Sequence, residues 1–336
     1  MCALVIHEIA ARDELDSMRT DWLTLWRNTP TATPFQSPDW LIPWWKHFGV
    51  GSLRVLLLLN DKRIVGIAPL FVRDDVRLCL VGHGNTDYMD ILAADPECAP
   101  AIFKHLCQNR SWDEIEFENL RGESSLLAAT NCPDVSEYVE EQDACPVLSL
   151  PAREDEFIAS LPRQLQHNLN YYWRKLANLG EVKIEQANEN NFAELFEALL
   201  SLHEARWRMN AASGVLREIE VQNFHHDAAA GLLSHDALRL YALRLDARII
   251  ASLYAFHHGR CTYYYLSGFD PQFRRYSPGT ILVAHAIRAA IREGDVSFDF
   301  LRGREDYKYR WGARDRPIYR KQVTWTEPRL TKSAKK

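Results

Sequence analysis

Residues 54–71 read RVLLLLNDKRIVGIAPLF and residues 239–256 read RLYALRLDARIIASLYAF, and the two stretches align without a gap. Each has two β-rich runs around a short polar turn, which is the pattern of a β-hairpin. The same hairpin is therefore predicted twice in this chain. The identities fall at Arg54/Arg239, Leu58/Leu243, Asp61/Asp246, Arg63/Arg248, Ile64/Ile249 and Phe71/Phe256.

A second pair of matching segments follows the hairpins at nearly the same spacing. EFENLRG at 116–122 corresponds to SFDFLRG at 297–303. Between hairpin and match, each half has a further strand-like run and then a helix-like run, at 99–109 or 280–293. The repeated order of elements indicates two copies of one unit. An antiparallel meander followed by a helix and a strand predicts an α+β fold, with a mixed, mostly antiparallel sheet flanked by helices in each copy.

The boundary between the copies is predicted near Pro151. Residues 1–150 then form the first unit and 151–336 the second, and the segment after about residue 317 could pack back on the first. Helical apolar spacing predicts a helix over 191–209. Another helix is predicted just after the boundary, where QHNLNYYWRK at 166–175 gives it a basic and aromatic face.

Composition favours a globular protein of the cytoplasm. The chain has 336 residues, of which 47% are hydrophobic, and no apolar run approaches the roughly 20 residues that span a bilayer. Seven cysteines without a CxxC pair suit a reducing compartment and predict neither disulfides nor a zinc site. The His pairs at 225–226 and 257–258 lack the spacing of metal ligands, so no metal is expected.

The RRYSPGT segment at 274–280 lies between a predicted strand and a predicted helix. The first turn of a helix has unpaired N–H groups and a partial positive charge, so this loop could bind a phosphate or pyrophosphate. Alternatively, Ser277 is an ordinary helix cap with Pro278 in the first turn, and no ligand is needed. The residues of the candidate phosphate site are Arg274, Arg275, Ser277, Gly279 and Thr280.

The meander, loop and helix together resemble the GNAT acyltransferases, in which the pantetheine arm of an acyl-CoA lies between two splayed strands and its pyrophosphate on such a loop. The chain keeps Arg275 of the loop pattern but has Pro278 and Thr280 at two positions that are usually small. Over almost its whole length the chain resembles the CelD-like acetyltransferases related to the FemAB peptidyltransferases, which have two GNAT-like units. The segments that carry this resemblance are 35–49, 86–92, 202–207, 265–287 and 298–312.

The resemblance implies an acyl-CoA site in the second unit. Backbone N–H groups near Leu266 and Ser267 would hold the thioester carbonyl, and FDFLRGREDYKYRWG at 298–312 would supply catalytic groups, with Lys308 and Tyr307 favoured and Arg302 as a partner. The alternative is a surface loop with weak ion pairs. Asp299 could instead be a buried carboxylate that braces Arg302.

The first copy has no basic loop, because AADPECAPAIF at 93–103 precedes its helix with two acids and no arginine. We therefore expect the donor in the second unit and the acceptor in a groove between the units. Asp87 and Asp90 are candidates to bind or deprotonate an amine. His83 is an alternative base, although a lone histidine in a glycine-rich turn is more often structural. The candidates for acceptor contacts are Tyr88, Arg206 and Trp207, the last of which could equally be a core residue.

The leading function is N-acyl transfer from acyl-CoA, with acetyl as the expected group, to the amine of an amino sugar, a polysaccharide precursor or a peptide. One alternative is a FemAB-type peptidyltransferase that uses aminoacyl-tRNA. Residues 302–336 have 12 Lys and Arg against four Asp and Glu, but the remainder has 28 against 41, which disfavours nucleic acid without excluding tRNA. A third possibility is a non-catalytic module that binds a saccharide or peptide.

Overall fold

The computed structural model describes residues 4–109, 111–130, 132–209 and 214–326. These residues form two compact units. The first contains the described residues up to Asp143 and those from Pro317 onward, and the second is Ala144–Arg316. Within the described ranges, no helix has the length and apolar character needed to cross a bilayer.

The regular elements follow one another in a mixed order of strands and helices. The strands are β1 (Val5–Ile9), β2 (Ser52–Asn60), β3 (Arg63–Arg73), β4 (Arg77–Leu80), β5 (Leu92–Ala93), β6 (Glu114–Arg121), β7 (Val135–Ser149), β8 (Val182–Gln186), β9 (Leu238–Leu245), β10 (Arg248–His258), β11 (Cys261–Phe269), β12 (Ser297–Asp299) and β13 (Arg314–Trp325). The α-helices are α1 (Arg12–Ser17), α2 (Arg19–Asn28), α3 (Pro38–Phe48), α4 (Cys98–Gln108), α5 (Ser125–Ala128), α6 (Glu154–Ser160), α7 (Arg163–Ala177), α8 (Phe192–Met209), α9 (Ile219–Ser234), α10 (Pro278–Arg292) and α11 (Asp306–Tyr309). Two 3₁₀ helices cover Pro34–Gln36 and Pro271–Tyr276.

The two units have the same strand order. In the first the order is β1-β2-β3-β4-β6-β13, with β5 beside β3, and in the second it is β8-β9-β10-β11-β12-β7. One neighbouring pair in each sheet is parallel, β4 with β6 and β11 with β12, and the other pairs are antiparallel. The predicted α+β class and the two copies of one unit are confirmed.

The repeated hairpins turn at the aspartates that the two copies share. Asp61 lies between β2 and β3 with a φ of 47°, and Asp246 lies between β9 and β10 with a φ of 50°. Aspartate enters this left-handed region more readily than most residues, because its short polar side chain can hydrogen-bond locally. The identity of Asp61 and Asp246 in the alignment therefore reflects a conformational requirement of the turn.

One long helix packs on each sheet and fixes the loop that precedes it. In the first unit α4 buries Ile102, Phe103 and Leu106 in the core. In the second, α10 buries ten of its fifteen residues, among them Leu282 and Ile287. Each Å² of apolar area removed from water contributes about 25 cal/mol to the free energy of folding. The buried residues of α10 therefore fix the helix on the sheet, and with it the first turn at the end of β11.

Candidate active site

In the second unit β11 and β12 run side by side for only three residue pairs and then separate. The pairs join Cys261 to Ser297, Thr262 to Phe298 and Tyr263 to Asp299. The chain then turns away at Leu301, which has a φ of 56°. β11 continues to Phe269, and in the described part of the chain residues 264–269 have no strand partner on that side.

A bulge in β11 lies at the point of separation. Leu266 pairs with Tyr254 of β10 and Tyr264 pairs with Ala255, so Tyr265 is the extra residue. A bulge bends its strand and redirects side chains. Here it accompanies an opening along the edge of β11.

The opening is a cleft of about 380 Å³ within the second unit. Its walls come from α7, α8, β11, the loop before α10, the start of α10, and the segment after β12. The lining residues are Leu165, Asn168, Tyr172, Arg206, Tyr264, Ser267, Phe269, Arg274, Ser277, Pro278, Gly279, Thr280, Val283, Tyr307, Arg310 and Trp311.

One end of the cleft is the N-terminus of α10. Ser277 has left-handed backbone angles (φ 47°, ψ 52°), and its side chain makes no capping hydrogen bond. The Thr280 N–H already donates to the Ser277 carbonyl at 3.0 Å. A Cβ on Gly279 would meet its nearest neighbour, Phe269 Cδ1, only at 4.0 Å, so the backbone there is open to a ligand. Ser277 is therefore at the N-cap position of α10, but its side chain does not cap the helix.

The two adjacent arginines of this loop have different surroundings. Both lie in the 3₁₀ helix Pro271–Tyr276, and both are exposed. Arg274 lines the cleft. The Arg275 guanidinium instead lies over the Tyr276 ring, 4.9 Å from its centroid, and donates to the Tyr276 hydroxyl at 2.7 Å. The structure thus brings Arg274, Ser277, Gly279 and Thr280 together and gives Arg275 a partner of its own.

A connected set of polar side chains lies along the floor of the cleft. Arg206 donates to both the carbonyl and the hydroxyl oxygen of Ser267 at 3.1 Å, and the Ser267 hydroxyl lies 2.7 Å from the Tyr264 hydroxyl. Tyr264 is hydrogen-bonded in turn to Tyr307. Burial, followed by the proximity of Tyr264, raises the pKa of Tyr307 well above that of an ordinary tyrosine, and the charge of Arg206 opposes this rise.

Lys308 lies next to Tyr307 but does not line the cleft. Its ammonium is almost fully buried and donates to the carbonyls of Leu301, Arg302 and Gly303 at 3.1, 2.8 and 2.9 Å. A carboxylate oxygen of Glu305 lies 2.9 Å away. The ammonium therefore holds the turn after β12, and this position favours a bracing role over contact with a thioester.

The other residues predicted around this loop also have structural contacts. Arg302 is half-buried, and its carbonyl is one of those bound by Lys308. Asp299 is buried and accepts a hydrogen bond from the Leu301 N–H at 2.8 Å, which fixes the backbone of the turn. Leu266 pairs with β10 and is buried beside the cleft.

Trp207 contacts a buried histidine rather than the cleft. Its indole N–H donates to His203 Nε2 at 2.9 Å. Burial and then the charge of Arg206 lower the pKa of His203 to about 4, so this imidazole is neutral at pH 7. Both side chains line a separate cavity beside α8 and α9.

In the first unit a segment of the chain occupies the place of the cleft. β4 and β6 also pair over three residues, Arg77–Cys79 with Glu114–Glu116. Beyond them, the Met89 N–H donates to the Asn119 carbonyl at 3.2 Å, and the Asn119 side chain donates to the Thr86 carbonyl at 3.0 Å. The edge of β6 that would border a donor site is thus bonded to residues 86–89.

The predicted acceptor residues belong to this segment. Asp87 and Tyr88 are buried, and the Arg121 guanidinium lies 5.6 Å from the centroid of the Tyr88 ring. Burial raises the pKa of Asp90 to about 6, although hydrogen bonds with Ser124 and the Ile91 N–H oppose the rise.

His83 has two charged neighbours in the first unit. Its Nδ1 lies 2.8 Å from Glu118 and its Nε2 lies 2.7 Å from Arg73. Because the guanidinium can only donate, Nε2 is the acceptor and Nδ1 carries the proton. Within the described ranges, no group of three or more His, Cys, Asp or Glu side chains could hold a metal ion.

Sequence reasoning missed Tyr264, Asn168, Tyr172 and Arg310, which also line the cleft. Tyr264 could have been found from strand alternation in CTYYYLSGF (261–269), because the middle of three consecutive tyrosines lies on the opposite face of the sheet from its two neighbours. Asn168 and Tyr172 lie four residues apart on α7 and therefore share one helix face.

Part of the second unit matches a known family model. Residues 163–309 match the family model described as Acetyltransferase (GNAT) domain. No curated protein sequence matches the chain significantly.

Several solved structures share the fold at low sequence identity. FemX aligns with a TM-score of 0.63 at 11% identity, over 94% of this chain and 96% of that chain. The C-terminal domain of a putative lysylphosphatidylglycerol synthetase from Agrobacterium fabrum gives a TM-score of 0.59 at 11% identity, over 93% and 92% of the two chains. L-PGS from Bacillus licheniformis gives 0.54 at 10%, over 85% and 91%. The second unit therefore contains an acetyltransferase (GNAT) domain, the chain is an acyltransferase, and its fold is similar to that of FemX.

Proposed function

We propose that the protein is an N-acyltransferase that moves an acyl group, acetyl in the simplest case, from acyl-CoA to an amine. The observation that carries this proposal is the cleft of the second unit, which ends at the uncapped first turn of α10 beside Arg274. The open backbone at Gly279, the helix dipole and a guanidinium favour a pyrophosphate. The unpaired edge of β11 offers backbone groups to an extended pantetheine arm.

Tyr307 is the candidate general acid for the leaving thiolate. It lines the same cleft as Arg274, so a donor bound along β11 would reach both residues. In the proposed reaction the amine nitrogen attacks the thioester carbon, the carbon–sulfur bond breaks, and the thiolate takes the Tyr307 proton. The backbone N–H groups of Leu266 and Ser267 are the proposed donors to the carbonyl oxygen, since they lie at the bulge beside Tyr264.

Asp87 and Asp90 of the first unit remain the proposed acceptor residues. A carboxyl with a pKa near 6 is a better proton acceptor at neutral pH than an ordinary aspartate, so Asp90 is the stronger candidate for the base. An amino sugar, a polysaccharide precursor and a peptide all present a suitable amine.

The test compares the two arginines of the loop. Arg274→Ala should weaken CoA binding about tenfold, the scale of one charge-assisted contact with a phosphate, whereas Arg275→Ala should weaken it less than threefold. Isothermal titration calorimetry with CoA measures both. Equal losses, or none, would contradict the proposed phosphate site. CoA binding without thiol release across a screen of amines would favour the non-catalytic module.

A second donor, aminoacyl-tRNA, is favoured by the exposed face of α7. Tyr171 is 39% exposed, Lys175 Nζ lies 4.7 Å from its ring centroid, and His167 stacks on it at 6.2 Å. Aromatic and basic groups on one face suit nucleic acid. Tight tRNA binding that weakens steeply with salt, together with no affinity for CoA, would support this donor instead.

A further inference from the structure

Helix α8 approaches β11 unusually closely at Gly268. A Cβ at this position would lie 2.3 Å from the His203 nitrogen and 2.4 Å from the Leu202 carbonyl carbon, so only glycine fits beneath the helix. Arg206 follows one helical turn after Leu202. The close approach therefore delivers the Arg206 guanidinium to Ser267, the residue next to Gly268.

The hydrogen bonds between hydroxyl groups along the cleft floor can run in either direction, and one of the two orderings begins at Arg206. A guanidinium can only donate, so the Ser267 oxygen accepts from Arg206 at 3.1 Å. Ser267 can then donate to Tyr264 at 2.7 Å, and Tyr264 can donate to Tyr307. In this ordering the Tyr307 hydroxyl accepts from Tyr264 and can donate its own proton to a ligand in the cleft. Hydrogen bonds arranged head to tail polarise one another, and here the first member carries a full positive charge.

We propose that Arg206, Ser267 and Tyr264 are positioning residues that orient and polarise Tyr307 as the proton donor to the leaving thiolate. This inference rests on the proposed function. As the carbon–sulfur bond breaks, sulfur takes the Tyr307 proton and the resulting phenolate accepts the Tyr264 hydrogen bond. The attacking nitrogen, which is positively charged once the carbon–nitrogen bond has formed, loses one proton to the base, for which Asp90 is the candidate, and becomes the neutral amide. Tyr307 is reprotonated from water. Arg206 stays protonated throughout.

Tyr307 needs such support because its surroundings oppose ionisation. Burial, and then the proximity of Tyr264 and the hydrogen bond with it, raise the pKa of the Tyr307 hydroxyl in the resting protein, which would make it a poor acid toward a thiolate unless Tyr264 donates to the phenolate as it forms. The positive charge of Arg206 acts in the opposite direction. The hydroxyl groups of Ser267 and Tyr264 extend the polarising effect of this charge to Tyr307, so the guanidinium itself does not need to contact the sulfur.

A double-mutant cycle tests the chain of hydrogen bonds. The reaction is thiol release from acetyl-CoA with hydroxylamine, a small amine that does not depend on recognition of the natural acceptor. Tyr307→Phe should lower kcat about 100-fold and Arg206→Met roughly 10- to 100-fold, both with little change in KM for acetyl-CoA. In the Tyr307→Phe background, Arg206→Met should cost less than about threefold, because no acid is left to polarise. A purely structural role for Arg206 would give the same loss in both backgrounds and would overturn the inference.

Three comparisons separate polarisation from damage to the fold. Arg206→Lys retains a cationic donor and should recover activity to within about tenfold of wild type. Arg208→Met, at an exposed arginine of the same helix that pairs with Glu204, should behave as wild type. With S-acetyl-4-nitrothiophenol, whose thiolate leaves without a proton, Arg206→Met should lose less than about threefold. Equal losses on both donors would contradict the inference.

The outcomes also separate this inference from the proposed function. If the wild-type protein releases no thiol from acetyl-CoA, both fail. If it does and the Arg206, Ser267→Ala and Tyr264→Phe variants match wild type, the hydrogen-bond chain alone is wrong.

Discussion

Replacing Lys308 by methionine distinguishes a bracing lysine from a catalytic one. The ammonium is 3% exposed and contacts three carbonyl oxygens and the Glu305 carboxylate. Methionine keeps most of the length and apolar bulk of the side chain but removes all four contacts. The carbonyls of residues 301–303 then lose their donor in a buried turn.

The expected loss of stability follows from those contacts. A hydrogen bond to a charged group contributes about 1.5–3 kcal/mol, but four contacts share one ammonium whose burial is itself unfavourable, so we expect a net loss of roughly 2–4 kcal/mol. For a unit of this size, each kcal/mol shifts the melting temperature by about 2–4 °C. Calorimetry should therefore show a fall on the order of 5–15 °C in the transition of the second unit, and turnover should fall less than about tenfold.

Lys183 provides a matched control. Its ammonium also lies 2.9 Å from a glutamate, Glu181, but is 58% exposed. Lys183→Met should change the melting temperature by less than about 2 °C, since exposed ion pairs contribute at most about 1 kcal/mol. If Lys308→Met keeps the wild-type melting temperature but loses about 100-fold in turnover, the bracing role is refuted and a catalytic cation is restored.

Three further predictions concern the backbone and the acceptor residues. Gly268→Ala should lower the free energy of unfolding of the second unit by roughly 2–4 kcal/mol in chemical denaturation, because the added Cβ meets the α8 backbone. It should also reduce turnover, because a shift of α8 displaces Arg206. A variant as stable as wild type would show that α8 is free to shift. Gly279→Ala should leave the free energy of unfolding within about 0.5 kcal/mol of wild type, because the added Cβ has room in the fold. Calorimetry should nevertheless show CoA binding weakened at least about threefold. Unchanged affinity would remove Gly279 from the phosphate site. Burial raises the pKa of Asp90, so its ionisation opposes folding. The free energy of unfolding of wild type, relative to that of Asp90→Asn, should therefore fall as pH rises from about 4 to above 6. A difference that does not change with pH would show that the Asp90 carboxyl is not buried in this way. If Asp90 is the base, the same variant should lose the decline in turnover that wild type shows below about pH 6.

Local patterns in the sequence predicted the two hairpins, the α10 helix and the repeated order of elements, because each depends on residues close together in the chain. The strand partner of the last strand in each sheet could not be found in this way. β6 pairs with β13, about 200 residues later, and β12 pairs with β7, about 150 residues earlier. Such partners are chosen by long-range packing, which neither alternation nor turn residues encode.

The roles of charged side chains were harder to predict than the elements that carry them. Arg274 and Arg275 are neighbours in sequence, yet one lines the cleft and the other stacks on Tyr276, because successive residues of a 3₁₀ helix point about 120° apart. The sequence favoured a catalytic role for Lys308, with a surface ion pair as the alternative, whereas in the fold its ammonium is surrounded by carbonyls that turn inward only after β12 ends. A sequence shows which groups can ionise, whereas the fold decides which of them face a ligand.

The difference between the copies shows where chemistry resides in a duplicated fold. Both sheets separate after three parallel residue pairs, so the geometry that creates a gap is common to both. In the first unit residues 86–89 hydrogen-bond to Asn119 of β6 and occupy the gap. In the second unit, among the described residues, β11 has no strand partner on the gap side beyond Tyr263, and Ser267 contacts Arg206 instead. The arginine-led set of hydroxyl groups therefore lies only where a donor could enter. In the proposed function the acyl donor therefore binds to the second copy, whereas the first copy uses the same strand arrangement to bury its own chain.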